Sequence, residues 1–233
     1  MYVKAFKTRL FKEKEDLLGF ITSHIKKLSE GDILAVTSKI VALAEGRVKT
    51  VTAKEKDDLI KKESKIALKT KYVWLTVKDN TLMANAGIDE SNALGKVILL
   101  PRDSFKAAEL IRKTLKKHYK LKRLGVVITD SRTEALRRGI TGKALSYAGF
   151  QGVKDYVGKK DLYGRKFKFE SVNVADSLAS AAVYEMGEGN ESKPLAVIQD
   201  VEVKFQEKIN KREAMISLKK DMYAPLFKSL FKK

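Results

Sequence analysis

The sequence contains no cysteine, and it has only two histidines, His24 and His118. Without cysteine the chain has no disulfides, no thiolate zinc site and no cysteine nucleophile. His24 belongs to a predicted helix near the start and His118 to a predicted lysine-rich helix, and neither lies beside an evident Ser and Asp pair. A nucleophile triad is therefore not predicted, and any bound metal is expected to be a hard cation held by oxygen atoms.

Long apolar runs are also missing. No stretch approaches the roughly 20 apolar residues of a membrane span. The N-terminal segment MYVKAFKTRL lacks the apolar core and the small-residue cleavage site of a signal peptide, so we expect a cytoplasmic protein. With 233 residues and 44% hydrophobic content, the chain can bury a sizeable core, as one large domain or as two interleaved lobes.

Acidic residues are outnumbered by basic ones, 29 to 48, which gives a formal net charge of +19. Eight Lys or Arg lie in Phe105 to Arg123, and nine lie in Lys204 to Lys233. Such a charge fits a polyanionic partner, and a non-enzymatic nucleic-acid-binding domain is one interpretation. However, most of these residues are Lys spaced as on solvated helix faces, without the aromatic-and-glycine strands of RNA-binding sheets. We therefore do not expect nucleic acid as the main partner; the surface should also attract nucleotides and acidic metabolites.

Helical and strand patterns alternate along the chain, which predicts a mixed α/β fold with mixed sheets and flanking helices. Apolar residues at helical spacing predict a first helix from Leu17 to Leu28. The other predicted helices are Lys54 to Leu68, a helix that begins after a cap at Asp103 or Ser104, and Ala175 to Met186. The predicted strands are Ile33 to Val36, Tyr72 to Val77 with a hairpin turn at Lys78 to Asn80, Val97 to Leu100, Leu124 to Thr129, Lys166 to Val172 and Leu195 to Gln199.

Two regions lack such clear elements. Arg132 to Lys160 contains five glycines without a sustained period and is predicted to be rich in loops. Beyond Lys204, apolar residues recur among lysines, which predicts a helix that packs on the body or on a partner and that could also touch a membrane. These apolar residues are Phe205, Ile209, Ile216, Leu226, Phe227, Leu230 and Phe231. We divide the chain into a domain of residues 1–203 and a basic amphipathic extension of residues 204–233.

Oxygen-rich side chains follow two of the predicted strands. Asp130 and Ser131 follow a buried strand, a geometry that can hold one divalent cation on the carboxylate and a second through the neighbouring oxygen. In the segment ANAGIDESN, Asp89 could share the first cation and Asn92 could bind a nucleotide base or ribose. A strand turn explains only part of this segment. The nearby arginines, Arg137 among them, favour a phosphate site.

The segment GITGK, Gly139 to Lys143, looks like part of a phosphate-binding loop. Its spacing is two residues short of the P-loop pattern, and Ala144 stands where Ser or Thr is required. We therefore do not interpret it as a nucleotide-binding motif.

Six blocks of the sequence together resemble the coenzyme F-420 gamma-glutamyl ligase family. They are AEGRV at Ala44 to Val48, ANAGIDESN at Ala84 to Asn92, VITDS at Val127 to Ser131, the G-x-x-G-x-A-x-x-x-AG pattern from Gly139 to Gly149, DYVGKKDLYGR at Asp155 to Arg165, and VADSLASAAVYEMGEG at Val174 to Gly189. The likeness covers roughly Val3 to Val201 and leaves out the lysine-rich extension.

The resemblance implies a dimeric enzyme of mixed α/β fold that uses GTP, or ATP, and Mg²⁺ or Mn²⁺ at two sites, with K⁺ as an optional further cation. It would add L-glutamate through a gamma-glutamyl amide bond to an anionic acceptor of the coenzyme F-420-0 type, through an acyl phosphate. By position, Asp89 and Asp130 would hold the first metal, and Ser131 and Glu188 the second. The catalytic residues would be Arg137 and Asp130. The nucleotide contacts would be Thr8, Arg9, Leu10, Phe11, Ser38, Asn92 and the segment from Met186 and Gly187 to Lys193.

The sequence departs from the family pattern on the acceptor and phosphate side. The family usually reads T-F-G-R-P-W-R-x-G after the TD step, whereas SRTEALRRG here has Glu134 at an Arg position and Leu136 at a Trp position, and it keeps Arg137. Leu43 replaces a Lys before AEGR, and Glu188 replaces a common Gln. We expect the reaction class to hold and leave the acceptor open between a deazaflavin and a folate. A relative that only binds nucleotide is a further alternative.

Overall fold

The computed structural model describes residues 1–227 of the chain. It divides into two compact units. The main unit comprises Met1–Glu45 and Pro101–Ala214, and the inserted unit comprises Gly46–Leu100 together with the described residues from Met215 onward. Helices and strands contribute about 27% each, so the predicted mixed α/β class is confirmed.

The strands are β1 Tyr2–Phe6, β2 Ile33–Thr37, β3 Val48–Lys49, β4 Ile66–Lys69, β5 Trp74–Lys78, β6 Thr81–Ala84, β7 Val97–Ile98, β8 Gly125–Thr133, β9 Ile140–Ala148, β10 Val153–Asp155, β11 Ser171–Asn173 and β12 Leu195–Gln199. The helices of the described residues are α1 Leu17–His24, α2 Ser38–Ala44, α3 Ala53–Glu63, α4 Ser104–His118, α5 Val174–Met186 and α6 Ala224–Phe227. A single helical turn covers Asn85–Gly87.

A five-stranded sheet in the order β1-β12-β2-β8-β9 forms the centre of the main unit. β2 and β8 are parallel, with Ile33 opposite Gly125 and Thr37 opposite Thr129, whereas the other neighbours are antiparallel. The carboxyl ends of β2 and β8 therefore lie next to each other at one edge of the sheet. We call this the β2/β8 edge.

Each face of this sheet is covered by helices. Because side chains alternate along a strand, Leu34 and Val36 of β2 join one core while Ile33 and Ala35 join the other. The first core includes residues of α1, α2 and α4, and we call that side the α4 face. The second core is closed by the small-residue helix α5, and we call that side the α5 face.

The inserted unit has its own core, formed by Leu59, Ile60, Ala86, Ile88, Val97 and Leu99. Its three-stranded antiparallel sheet has the order β4-β5-β6, and β3 pairs with β7. Glu63 at the end of α3 accepts hydrogen bonds from Lys78 Nζ at 2.6 Å and Arg47 Nη2 at 3.1 Å. Burial acts to raise the pKa of Glu63, but these two cations outweigh it and the pKa lies below its usual value.

Two predicted helices are too long. The helix predicted for Lys54 to Leu68 ends at Glu63, and Ile66–Lys69 instead form β4. The backbone becomes extended at Ser64. The main-chain hydrogen bonds that a further helical turn would provide are made instead by pairing of Ile66 with Val77. Similarly, α1 ends at His24, although Leu28 is still buried in the core.

The prediction that Arg132 to Lys160 is rich in loops missed two strands. This span contains β9 and β10, and β8 continues beyond Asp130 and Ser131 to Thr133. The strand predicted for Lys166 to Val172 is limited to Ser171–Asn173. β9 was obscured by Gly142, whose lack of a side chain lets α5 approach: an added Cβ would lie 2.5 Å from the carbonyl oxygen of Ala179.

The start of the C-terminal extension packs on the main unit. Phe205 forms a β-bridge with Phe150, and Phe205 and Ile209 pack against the core of the α5 face. Within the described part of the extension, the only helix is the four-residue α6, so most of these residues do not form the predicted helix. Leu230 and Phe231 lie outside the described residues. Residues 1–227 include no helix with the length and apolar content needed to cross a membrane.

Candidate functional site

Ser38 and Asp130 meet at the β2/β8 edge. Ser38 opens α2 directly after β2, and the preceding residue, Thr37, caps the helix by accepting a hydrogen bond from Lys39 N at 3.1 Å. Ser38 is buried, and its hydroxyl donates to Asp130 Oδ1 at 3.4 Å. In open sheets, ligands bind at the carboxyl ends of neighbouring parallel strands, so this is the candidate functional site.

Asp130 and Ser131 face opposite sides of the β8–β9 hairpin, because successive side chains of a strand alternate. Asp130 lies opposite Lys143, and Ser131 lies opposite Gly142. α5 packs closely on Gly142, where an added Cβ would lie 2.5 Å from Ala179 O, so Ser131 lies on the α5 face while Asp130 lies on the side of Ser38. Their assignment to two different cations stays a prediction.

Two segments predicted to contact nucleotide are neighbours at the same edge. Thr8 follows β1, and its backbone N–H donates to Ser192 O at 2.8 Å. Thr37 N donates to Pro194 O at 3.0 Å, which joins the second segment to the start of α2. Thr8, Ser38 and the Met186 to Lys193 segment are therefore brought together by the main chain.

The residues after Thr8 differ in their environment. Arg9 forms an ion pair with Glu15, and its guanidinium lies 5.1 Å from the ring centre of Phe20. The hydrogen bond from Arg9 lowers the pKa of Glu15 to about 2. Leu10 is exposed, whereas Phe11 packs edge-on against Phe20 with 4.9 Å between ring centres. Arg9 and Phe11 thus already have structural roles in the loop.

The turn after α5 presents Glu188 to solvent. Met186 is buried in the core of the α5 face, so its backbone rather than its side chain is available to a ligand. Gly187 ends the helix with a left-handed φ of 77°, and Gly189 N donates to Glu191 Oε2 at 2.7 Å. Glu191 therefore shapes the turn that carries Glu188.

Asp89 and Asn92 lie in the inserted unit. Both Asp89 carboxylate oxygens accept from Ser91, one from its backbone N and one from its hydroxyl, each at 2.8 Å. The backbone of Asp89 pairs with Ile98. Asn92 is exposed, with a left-handed φ of 55°. The structure thus describes these two residues in one unit and Asp130 in the other.

The first half of ANAGIDESN is a structural turn. Asn85, Ala86 and Gly87 all have left-handed φ values, between 52° and 71°. Asn85 Oδ1 accepts from Trp74 N at 3.0 Å, which ties the turn to β5. An added Cβ at Gly87 would lie 2.6 Å from the Leu100 side chain, so only glycine fits there.

The sequence profile of the family described as F420-0:Gamma-glutamyl ligase matches residues 5–200. The chain belongs to this family. Among similar curated proteins, the Coenzyme F420:L-glutamate ligase of Methanocaldococcus jannaschii is 38% identical over 134 residues, 58% of this chain and 53% of the relative. The Coenzyme F420:L-glutamate ligase of Methanococcus maripaludis strain S2 is 37% identical over 153 residues, 64% of this chain and 61% of the relative.

A third relative, the Coenzyme F420:L-glutamate ligase of Archaeoglobus fulgidus, is 34% identical over 146 residues, 62% of this chain and 58% of the relative. The matches thus span between about half and three fifths of the length of these curated relatives.

The β8–β9 hairpin, whose turn departs from the family pattern, carries a lysine that the sequence analysis did not consider as a site residue. Lys143 lies opposite Asp130 in the hairpin. Its Nζ forms an ion pair with Glu134 Oε1 at 2.8 Å. Leu136 is fully exposed with a left-handed φ of 59°, and Arg137 is exposed in the same turn. GITGK was considered only as a phosphate loop. Lys143 becomes a candidate once the strand register places it opposite Asp130.

The site has side chains of the chemical type that bind a hard cation. Asp130, Ser131 and Glu188 offer oxygen ligands, which Mg²⁺ and Mn²⁺ prefer. Within each unit, residues 1–227 contain no group of three His, Asp or Glu side chains arranged to hold a metal. Mg²⁺ commonly uses one or two carboxylates and completes its shell with substrate phosphates and water. One carboxylate at the β2/β8 edge therefore fits a cation that arrives with a nucleotide.

Proposed function

We propose that this chain is a metal- and nucleotide-dependent ligase that joins L-glutamate, through a gamma-glutamyl amide bond, to a carboxylate acceptor of the coenzyme F420-0 type. The family match over residues 5–200 carries the proposal. The contact between Ser38 and Asp130 at the carboxyl ends of two parallel strands supports the location of the site.

A carboxylate is a poor electrophile, so the acceptor must first be activated. Its oxygen attacks the terminal phosphorus of GTP or ATP, which releases the nucleoside diphosphate and leaves an acyl phosphate. The amine of glutamate then attacks the acyl carbon, loses a proton and expels inorganic phosphate as the amide forms. These two reaction steps need no nucleophile from the enzyme, which agrees with the absence of cysteine.

In this proposal the residues of the β2/β8 edge bind and orient the reactants. Asp130 and Ser131, with Glu188, supply oxygen ligands, and Asp89 of the inserted unit shares the first cation. A bound Mg²⁺ or Mn²⁺ supplies charge neutralisation on the phosphoryl oxygens. Arg137 donates to the phosphate oxygens as a second source of positive charge.

The backbone of the Thr8 to Phe11 and Met186 to Lys193 segments borders the nucleotide site in this proposal, together with Ser38 and Asn92. The hydrogen bond from Thr8 N to Ser192 O supports a shared role for the two segments. The enzyme is proposed to act as a homodimer, with K⁺ as an optional further cation.

A ligase assay read by mass spectrometry tests the proposal. The protein is incubated with L-glutamate, Mg²⁺ or Mn²⁺, and GTP or ATP, in separate tubes with the unglutamylated deazaflavin coenzyme and with a reduced folate. We expect a nucleotide-dependent gain of glutamyl mass on the deazaflavin. The same gain on the folate alone would correct the acceptor while keeping the reaction class. Absence of product with every combination would refute the ligase proposal.

Asp130→Asn tests the metal assignment. This change preserves the size of the side chain and an acceptor for Ser38 but removes the charge, so we expect activity to fall about a hundredfold or more. Mn²⁺ binding in the presence of nucleotide, followed by electron paramagnetic resonance, should weaken in parallel. Full activity and unchanged Mn²⁺ binding in this variant would refute the assignment.

Asp103→Asn is the matched control. Asp103 caps α4 by accepting from Lys106 N at 2.9 Å, and Asn caps helices equally well. We expect this variant to keep both the activity and the Mn²⁺ affinity of the original protein.

A further inference from the structure

The two lysine-rich segments of the sequence meet at one groove in the main unit. The groove lies between α4 and the extension residues Glu207 to Lys211, and its volume is about 530 Å³. Lys106 and Lys113 contribute from α4, and Lys208 and Lys211 contribute from the extension. All four lysines are exposed; Lys106 lies 3.7 Å from Asp103 and Lys113 lies 3.5 Å from Glu109, so Lys208 and Lys211 are the main cations offered to a ligand.

The groove has an apolar lining beneath these charges. It is formed by Phe105 and Leu110 of α4, Ala148 at the end of β9, and Ile209 of the extension. Leu110 is 61% exposed, although the neighbouring residue Ile111 is buried in the core. The Lys211 ammonium lies 5.6 Å from the centre of the Phe105 ring, which shows that a cation is held over the aromatic part of the lining.

The two carboxylates of the groove are already neutralised by cations. Glu207 accepts from buried Arg112 and from Lys116, each at 2.8 Å, and the hydrogen bond from Arg112 contributes most to lowering the pKa of Glu207 to about 2. Glu109 lies 3.5 Å from Lys113 and 3.7 Å from Arg112. The groove therefore has a net positive character.

This groove is separate from the β2/β8 edge. Ala148 pairs with Val126 near the start of β8, whereas Asp130 lies four residues further along the same strand. At about 3.3 Å per residue, the two positions are roughly 13 Å apart along the sheet. A ligand in the groove would thus occupy a second site.

From the volume, the apolar lining and the lysines, we propose that the groove binds an amphipathic organic anion, a compact apolar body that carries a single carboxylate, sulfonate or phosphate group. Pockets of roughly 300–1,000 Å³ hold ligands of this size. The apolar body packs on Phe105, Leu110 and Ile209, and the anionic group pairs with the lysines. A nucleic acid fits less well, because the groove is confined to α4 and the start of the extension and has an apolar lining, whereas a phosphate backbone requires a continuous row of cations.

The proposal is tested with 8-anilinonaphthalene-1-sulfonate as the probe and the full chain as the protein. We expect saturable fluorescence, and NMR shift changes centred on the backbone amides of Leu110, Lys208 and Ile209. Octanoate and naphthalene-2-carboxylate are then added as competitors, to distinguish an acyl body from an aromatic one. Their neutral alcohols should compete much more weakly, since they lack the anionic group.

Leu110→Glu places a carboxylate in the apolar lining at an exposed helix position, where Glu is a good helix former. We expect about tenfold weaker probe binding, because the leucine loses its apolar contact and the new charge repels the sulfonate. Lys208→Glu combined with Lys211→Glu should weaken binding similarly. Leu162→Glu, at a leucine that is 99% exposed elsewhere, makes the same chemical change as a control and should have no effect.

Three results would overturn the proposal. One is equal loss of binding in Leu110→Glu and Leu162→Glu. Another is NMR shift changes that lie away from α4 and the extension. The third is competition by a short fluorescein-labelled oligonucleotide that is stronger than competition by either small anion, since this would assign the lysines to nucleic acid.

Discussion

Replacement of Gly142 by alanine should separate α5 from the hairpin that carries Asp130. The added Cβ would lie 2.5 Å from Ala179 O and 2.7 Å from Val183 Cβ, whereas ordinary contacts are about 3.5 Å or more. Because Ala179 presents its backbone, no change of rotamer can relieve the overlap, and the helix and strand must move apart by roughly 1 Å.

The expected cost follows from this overlap. Overpacking in a close-packed interior costs about 1–3 kcal/mol. For a chain of this length each kcal/mol lowers the melting temperature by roughly 2–4 °C, so a mid-range cost of about 2 kcal/mol should lower the melting temperature of Gly142→Ala by about 4–8 °C. The shift should also lengthen the hydrogen bond from Ser180 Oγ to Gly142 O, which is 2.7 Å long in the original protein.

Calorimetry gives the melting temperature, and hydrogen exchange read by mass spectrometry locates the change. Peptides of β9 and α5 should lose protection before those of the inserted unit. Gly189→Ala is the control, because an added Cβ there lies no closer than 3.4 Å to any neighbour and the backbone is not left-handed. If both variants melt at the same temperature, the account of Gly142 as a required close approach is wrong.

Two further predictions concern single hydrogen-bonded groups. Glu207→Gln should lower the free energy of unfolding by about 1 kcal/mol at pH 7, a modest value because Glu207 is exposed although its partner Arg112 is buried. The pKa of Glu207 is about 2 in the fold against a usual 4.5, so the difference from the original protein should narrow as the pH falls from 4.5 toward 2 in urea titrations. If the difference in free energy of unfolding between the two proteins does not change with pH, the role given to the Glu207 charge is wrong. Thr76→Val should destabilise the inserted unit by roughly 2 kcal/mol, because the buried Thr76 hydroxyl accepts from Ala86 N at 2.8 Å and donates to a backbone carbonyl. Trp74 fluorescence during urea unfolding reports the change, and Thr76→Ser, which keeps both bonds and loses one buried methyl group, should be destabilised less, by about 1 kcal/mol.

The elements that the sequence predicted well are those whose burial and caps are local. Leu195–Gln199 is a strand with the predicted bounds, and α5 begins at Val174, one residue before its predicted start. The cap predicted for α4 at Asp103 or Ser104 is provided by Asp103, whose carboxylate accepts from Lys106 N. In each case the apolar period and the terminating residue point to the same structure.

The elements that were mispredicted depend on distant partners. Ile66–Lys69 continues the apolar pattern of α3 but becomes a strand because β5 lies beside it. β9 contains a glycine, Gly142, on which α5 packs, and nothing local signals that contact. A one-dimensional pattern cannot reveal a conformation that is selected by tertiary pairing.

The candidate site also combines features that are visible in the local sequence with features that depend on tertiary pairing. The position of Asp130 at the end of a buried strand suggested a ligand site, and the structure adds the contact with Ser38. Lys143 was missed because its position opposite Asp130 depends on the register of β8 and β9, including the irregularity at Ile128 and Thr129. The sharing of one cation by Asp89 and Asp130 stays a prediction.

The position of β2 in the sheet has a consequence for synthesis of the chain on the ribosome. β2 emerges early, yet both of its neighbours, β8 and β12, are made much later. The segment Gly46–Leu100, which contains the core residues of the inserted unit, lies between β2 and both of these neighbours in sequence. The apolar run Ile33–Val36 must therefore stay protected from wrong pairing until translation passes Leu195.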